Sequence, residues 1–174
     1  MARSLAEAFR EYAARKLEDH LGQINRCGHL LDERQLWYRP NARSNSAANL
    51  VLHLAGNVRQ WIIGGIGGQP MERDRQAEFD RQGGIGREAM LGPLAETVGA
   101  ACGVIRACDE AALTATYDIQ SYRVSGAAAI AHVVEHFAFH TGQIVTTTKW
   151  LLDVDLSIYD ERGQRRDGRR DETP

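Results

Sequence analysis

Apolar side chains recur every three or four residues along four long segments, and this periodicity limits the folds open to the chain. The pattern is typical of amphipathic helices that bury one face, whereas half-buried strands would alternate at every second residue. The four segments lie at about 4–27, 46–63, 86–111 and 126–152. Because little strand pattern accompanies them, the sequence predicts an all-α fold, a four-helix bundle.

Capping signals mark the starts of three of these helices. Ser4 and Glu7 have the spacing of a capping box, in which each side chain satisfies a free backbone amide at the helix start. Asn45 or Ser46 suits the first position of the second helix, and Ser125 that of the fourth. The first helix is expected to run to about residue 27 or one turn beyond.

Breaks in the periodicity define the connections. The glycine-rich run at 64–68 predicts the end of the second helix, because glycine loses the most backbone entropy on ordering. The polar stretch 71–86 then predicts a long surface connection between the second and third helices, with Phe79 as an anchor to the body. Pro93 either begins the third helix or separates a kinked first turn from it. Residues 114–125 alternate in polarity and favour a short extended or hairpin-like excursion.

Composition excludes several classes of protein. A chain of 174 residues with a net charge of −2 fits one domain and lacks the basic excess of a nucleic-acid binder. The three cysteines show no metal-binding spacing, and no stretch approaches the ~20 apolar residues that span a bilayer. We therefore expect a cytoplasmic protein without membrane or nucleic-acid partners, with a bundle at 1–159 and a charged, flexible tail at 160–174, whose opposite charges cancel.

Three histidines, His132, His136 and His140, follow one another at intervals of four residues in the fourth helix. Side chains at i and i+4 lie on one helix face, so neighbouring imidazoles can chelate one ion. All three together would span two turns, roughly 12 Å along the axis, which is too long for a single ion. A third ligand must come from elsewhere, and His132 is expected to stay outside the ligand set. The alternative at this point is that the pair is buried and hydrogen-bonded without a metal.

His53, on the apolar face of the second helix, is the natural supplier of a third ligand. An imidazole among leucines is otherwise a core histidine with a satisfied hydrogen bond, and sequence spacing leaves both interpretations open. Asn57 follows His53 by one turn, and Gln143 follows His140 by three residues. Both amides could hold imidazole N–H groups or a metal-bound water; the alternative is an interhelical hydrogen bond or a helix-end cap.

The sequence resembles the DinB-like superfamily of metal-dependent proteins, and an uncharacterised bacterial branch of it in particular. Three segments carry the resemblance: NSAANLVLHLAGNVRQWI (45–62), RDRQAEFD (73–80) and HVVEHFAFHTGQIVTTTK (132–149). The histidine pair followed by Gly-Gln-Ile is the recurrent signature of the superfamily's last helix. The resemblance implies a bundle with a long connection between helices 2 and 3, often dimeric. It also implies a metal held by a histidine triad, here His53, His136 and His140.

Three protein ligands leave coordination positions open, which is the pattern of a catalytic site. The ion expected is zinc or nickel, with iron or manganese as alternatives. Some relatives use low-molecular-weight thiols such as bacillithiol or mycothiol. The resemblance therefore implies a metal-dependent enzyme that activates a thiol or water on a small-molecule substrate, such as a thiol S-transferase or a hydrolase-like enzyme. The alternative is a non-enzymatic, stress-related dimeric bundle whose metal serves stability or sensing.

Overall fold

Four long helices form a bundle in the computed structural model, which describes residues 3–162. In chain order the elements are α1 (Leu5–Leu30), α2 (Glu33–Leu36), α3 (Ala47–Val58), a π-helical segment (Arg59–Ile66) that continues α3, α4 (Arg75–Asp80), α5 (Arg87–Ala107), α6 (Glu110–Thr114), β1 (Thr116–Ile119), β2 (Tyr122–Ser125) and α7 (Gly126–Leu152). α1 packs against α5 and α7, and α3 packs against the same two helices. The predicted all-α bundle is confirmed.

The predicted capping residues begin their helices. Ser4 and Glu7 form the capping box of α1. Ser46 caps α3 in a second capping box, with Asn49 as the reciprocal partner, and the Ser125 side chain accepts from the backbone of α7. Caps are read well from sequence because the partners are only three residues apart.

The second bundle helix continues two turns beyond α3 as the π-helical segment, which includes Gly64 and Gly65. The predicted end at the first glycines is therefore a few residues early. A Cβ added at Gly65 would lie 2.5 Å from Cδ1 of Ile119 on β1, and one at Gly64 would lie 3.0 Å from Cγ of Met71. Glycine at these positions leaves room for the neighbouring side chains of Ile119 and Met71.

The long connection between α3 and α5 is more ordered than the sequence predicted. It contains α4, which Asp74 caps, and the connection's Arg73 side chain is only 7% exposed. The surface-loop expectation is wrong for Arg73 and Glu78, whose charged side chains point inward to partners on the second bundle helix, whereas most of the remaining residues of α4 are exposed. The anchoring role of Phe79 is confirmed: its ring centroid lies 4.6 Å from that of His53.

Helix α5 begins at Arg87 and carries Pro93 in its interior, so the helix does not begin at Pro93. Among the described residues it is the one helix long and apolar enough to cross a membrane by composition. Leu94, Val98 and Ile105 of α5 lie in the core of the bundle. A buried bundle helix meets the same criterion, so this is weak evidence for a membrane span.

The extended excursion is an antiparallel hairpin in which Thr116 pairs with Ser125 and Ile119 with Tyr122. It leads directly into α7, and Ile119 turns inward to a buried position. The division into a bundle at 1–159 and a tail at 160–174 stays a prediction, because residues 163–174 lie outside the described part of the chain.

Candidate metal centre

His53 on α3 and His136 and His140 on α7 meet in the groove between these helices. The Nε2 atoms of His53 and His136 lie 2.9 Å apart. One ligand atom from each of the three imidazoles lies within 4.8 Å of the other two. Residues 83 positions apart in the chain are thus joined by the packing of α3 on α7, which turns a spacing pattern into a three-nitrogen cluster.

Burial favours the neutral form of His136 and His140. His53 is 3% exposed, and the other two are half-buried. Desolvation, together with the neighbouring imidazoles, lowers the pKa of His136 to about 3. Burial also lowers the pKa of His140, against the opposing effect of a hydrogen bond with Gln143. Neutral imidazole is the form that binds a metal, so the lowered pKa values of His136 and His140 favour metal binding at neutral pH.

Glu78 of α4 fixes the tautomer of His53. Its Oε2 atom lies 2.9 Å from Nδ1 of His53, on the edge of the ring away from His136. An ionised carboxylate can only accept a hydrogen bond, so Nδ1 carries the proton and donates it. The lone pair of a neutral His53 is therefore on Nε2, the atom that faces His136. This carboxylate–histidine arrangement is the usual support of a histidine ligand.

Arg73 holds the Glu78 carboxylate in place. Its Nε donates to Oε1 of Glu78 over 2.7 Å and its second amino group to Oε2 over 2.8 Å, a bidentate pair. Burial raises the pKa of Glu78, but the hydrogen bonds from His53 and Arg73 outweigh it and hold the pKa below its usual value. The remaining amino group of Arg73 donates to Gln60 of the π-helical segment. Glu78 is thus kept ionised.

Gly56 makes room for this ion pair against α3. A Cβ at this position would overlap Oε1 of Glu78 and would lie 2.7 Å from Nε of Arg73. Glycine in a helix interior costs about 1 kcal/mol relative to alanine. Its presence here is explained by the close approach of the two charged side chains to the helix backbone.

The backbone of α4 is tied to the bundle by two further side chains. The buried Asn49 side-chain amide donates to the carbonyls of Glu78, at 2.9 Å, and of Arg81, at 2.8 Å. Arg39 donates to the carbonyl of Arg81 at 3.0 Å and also to that of Phe79. These bonds hold the end of α4 against α3, so the position of Glu78 is determined by both its side chain and its backbone.

The other predicted site residues have different surroundings. The structure brings Gln143 to His140, whose Nδ1 lies 2.7 Å from the amide oxygen of Gln143. His132 lies outside the group of three; its ring stacks on that of His136 at 5.6 Å and packs on Trp61 at 4.2 Å. Asn57 is not brought to an imidazole nitrogen: its Oδ1 is buried and has no hydrogen-bond partner within residues 3–162.

The donor set fits a divalent metal ion. Three neutral imidazoles suit zinc and other first-row ions, with Zn–N bonds of ~2.0–2.1 Å. Two such ligands at a tetrahedral angle lie roughly 3.4 Å apart, so the separations in this cluster require only small side-chain rotations. Glu78 behind His53 and Gln143 behind His140 supply the hydrogen bonds that orient the ligands.

Sequence reasoning missed Glu78 and Arg73 as members of the site. Both lie in the segment RDRQAEFD, which carried part of the family resemblance. The usable signal was the combination of Phe79 and charged residues in one short polar stretch, because an anchored connection can direct a charge inward. Periodicity gave no such indication, since α4 has only six residues.

A family model described as a protein of unknown function (DUF1572) matches residues 4–159. No curated protein matches the chain significantly.

Solved structures share the fold. A conserved protein from Enterococcus faecalis is 13% identical, with a TM-score of 0.72, covering 88% of this chain and 100% of that one. A DinB-like protein from Bacillus subtilis is 16% identical, with a TM-score of 0.64, covering 88% and 99%. Another DinB-like protein, from Bacillus cereus, is 11% identical, with a TM-score of 0.63, covering 80% and 90%. The DinB-like fold implied by the sequence is confirmed; at these identities the likeness concerns the fold alone.

Proposed function

The chain belongs to the DUF1572 family, and we propose that it binds a divalent metal ion through His53, His136 and His140. The observation that carries the proposal is the convergence of three imidazole nitrogens within 4.8 Å. Its support is the carboxylate of Glu78 behind His53, because histidines that ligate a metal almost always donate their other ring N–H to a carboxylate, a backbone carbonyl or water.

The proposed ion is zinc or nickel, with iron or manganese as alternatives, because imidazole suits these metals. Three protein ligands leave at least one coordination position for a small molecule. When bound, a divalent ion lowers the pKa of a thiol or water that it coordinates. The three histidines would hold the ion, and two neighbouring side chains would orient the imidazoles. Glu78 keeps the proton of His53 on Nδ1, and Gln143 does the same for His140.

We further propose that the protein is a metal-dependent enzyme acting on a small molecule, in the manner of a thiol S-transferase. Glu78 is the carboxylate bonded to the triad, and both of its oxygens are occupied by Arg73 and His53. It is therefore a poor general base. A reaction in which the metal itself activates the nucleophile, as with a thiol, fits this site better than a hydrolysis that needs a separate base.

The second candidate function is non-enzymatic, with the metal serving stability or sensing. The observation that favours this function is that the site connects separate helices. The three histidines come from α3 and α7, and Glu78, which is hydrogen-bonded to His53, comes from α4. A metal there would cross-link three elements of the bundle, and metal binding to the native state alone stabilises it.

Metal content tests the first proposal. The purified protein is expected to hold stoichiometric metal, while His140→Ala and His53→Ala lose it. His29→Ala is the matched control, because His29 is an exposed histidine bonded to the carbonyl of Asn25. Equal metal content in all four proteins would contradict the proposal.

Thermal unfolding with and without a chelator separates the two candidate functions. An enzyme site is expected to leave the chelated protein folded, with loss of thiol binding as the main effect. A structural site would lose fold support on the ~10 kcal/mol scale of structural zinc and unfold on chelation.

We also propose that the chain forms a homodimer. Phe139 and Trp150, both on α7, are 63% and 64% exposed, and exposed aromatic side chains are enriched in interfaces. Light scattering at micromolar concentration is expected to give about twice the mass of the chain, and the monomer mass would contradict this.

A further inference from the structure

Two buried polar atoms lie beside the histidine cluster without a hydrogen-bond partner among residues 3–162: Oδ1 of Asn57 and Nε1 of Trp61. Both side chains are 4% exposed. Buried polar groups in native proteins are almost always satisfied, so each such atom requires an explanation. One is an acceptor and the other a donor.

Trp61 lies on the side of its helix that faces α7, and Asn57 lies one turn before it. His53 contacts His136, and two turns later the ring of Trp61 packs on that of His132 at 4.2 Å. Asn57 lies between these two contacts, four residues from each. One helical turn is about 5.4 Å, so the two unpartnered atoms belong to positions roughly one and two turns from the proposed metal ligand His53.

The π-helical segment carries Trp61 and is itself held in place. It begins at Arg59, directly after α3. Gln60 within it accepts hydrogen bonds from Arg73, at 2.8 Å, and from Gln120 of the hairpin, at 2.6 Å. π-helical turns are rare and are frequently found at functional sites. These bonds hold the segment whose Trp61 ring packs on that of His132.

We propose that Asn57 and Trp61 form a subsite for a neutral amide group of the small molecule that binds at the metal. A secondary amide supplies both missing partners, since its N–H can donate to Oδ1 of Asn57 and its C=O can accept from Nε1 of Trp61. A carboxylate cannot donate to Asn57, and an ammonium group cannot accept from Trp61. The inference rests on the proposed metal site and deepens it, because it names the chemical class of the ligand.

The subsite requires a ligand with its metal-binding atom a few bonds from the amide. A matched pair of probes has this form: 3-mercapto-N-methylpropanamide and methyl 3-mercaptopropanoate. The two thiols have the same length, but the ester lacks the N–H group. Thiolate sulfur is a good ligand for zinc, so the thiol anchors both probes equally and leaves the amide or ester to report on the subsite.

Calorimetric titration of the zinc-loaded protein with both probes tests the proposal. The native protein is expected to bind the amide about tenfold more tightly than the ester, as one buried hydrogen bond contributes. In Asn57→Leu this ratio falls to about one with zinc content unchanged. In Trp61→Phe the affinities for both probes fall together, because the lost donor serves the carbonyl that they share.

Asn25→Leu is the matched control: Asn25 also has a buried Oδ1 with no partner among residues 3–162, but it lies on α1, which carries none of the three histidines. It should leave the ratio unchanged.

Equal affinity of the native protein for the two probes would overturn the subsite, as would a ratio that persists in Asn57→Leu. If Asn57→Leu does not fold, the native ratio and Trp61→Phe still decide. A native protein that binds no zinc would instead refute the metal site, so the two failures are distinguishable by metal analysis.

Discussion

Glu78 accepts a hydrogen bond from Nδ1 of His53 over 2.9 Å, on the opposite edge of the ring from His136. This pair links the connection between α3 and α5 to the candidate metal centre. The proton of His53 is thereby kept off the nitrogen that faces α7. The properties of the site should thus depend on residues that never touch a metal.

Glu78→Gln should weaken metal binding while leaving the three histidines in place. An amide no longer provides the charge that makes His53 a stronger ligand, and loss of such a support typically reduces metal affinity by about 10- to 100-fold. Competition with a chromophoric chelator measures the affinity. Glu72→Gln, an exposed glutamate in the same connection, is the control and should have the native affinity; a Glu78→Gln protein with that affinity would contradict the role of the pair.

Gly56→Ala should damage the site although alanine favours a helix. The new Cβ overlaps the carboxylate of Glu78 and forces the Arg73–Glu78 pair away from α3. We expect reduced metal affinity, with the ~1 kcal/mol gain in helix propensity offset by the lost contacts. Gly99→Ala on α5 is the matched control, since a Cβ there meets nothing within 4 Å and should only stabilise. Urea unfolding and chelator competition measure both effects; native metal affinity in Gly56→Ala would refute the prediction.

Asn49→Ala should release the end of α4. It removes two hydrogen bonds to the carbonyls of Glu78 and Arg81, and unsatisfied buried groups cost about 1–3 kcal/mol. Limited proteolysis is expected to cleave the connection faster than in the native protein. Arg43→Ala, at an exposed position before α3, serves as the control. Equal cleavage rates in all three proteins would show that α4 is held by other contacts.

The contacts of Arg106 with α1 should contribute stability that depends on pH. Its guanidinium lies 3.1 Å from Glu11 and 2.9 Å from Glu18. Hydrogen bonds from Arg106 and then Arg15 lower the pKa of Glu11 from its ordinary value of 4.5 to about 2. Stabilisation by Glu11 is therefore fully present above pH 4.5 and is lost as the pH falls toward 2.

Arg106→Ala should lower the free energy of unfolding at pH 7 by about 1 kcal/mol or less, because the three side chains are 31–39% exposed and solvent screens their charges. The difference from the native protein, measured by urea unfolding, should shrink as the pH is lowered from 4.5. A difference that stays constant over this range would assign the effect to packing of the arginine stem instead of its charge.

Much of the fold followed from local pattern. The starts of α1, α3 and α7 were predicted from Ser4, Ser46 and Ser125, and the bundle from helical periodicity. The His136–His140 pair was evident from its spacing of four. His53 needed more, because a buried histidine among leucines is ambiguous and only the family resemblance selected it as a ligand.

Sequence by itself therefore determined the four long helices, most of their starts and the histidine pair, since helix formation and capping depend on residues within one turn of each other. Only the tertiary structure decided that His53 meets that pair, that Glu78 and Arg73 stand behind it, and that Oδ1 of Asn57 is buried without a partner among residues 3–162. His53, for example, contacts Glu78, which is 25 positions away in the chain, and His136, which is 83 positions away. These contacts depend on how α3, α4 and α7 pack, and no periodicity in the chain records that packing.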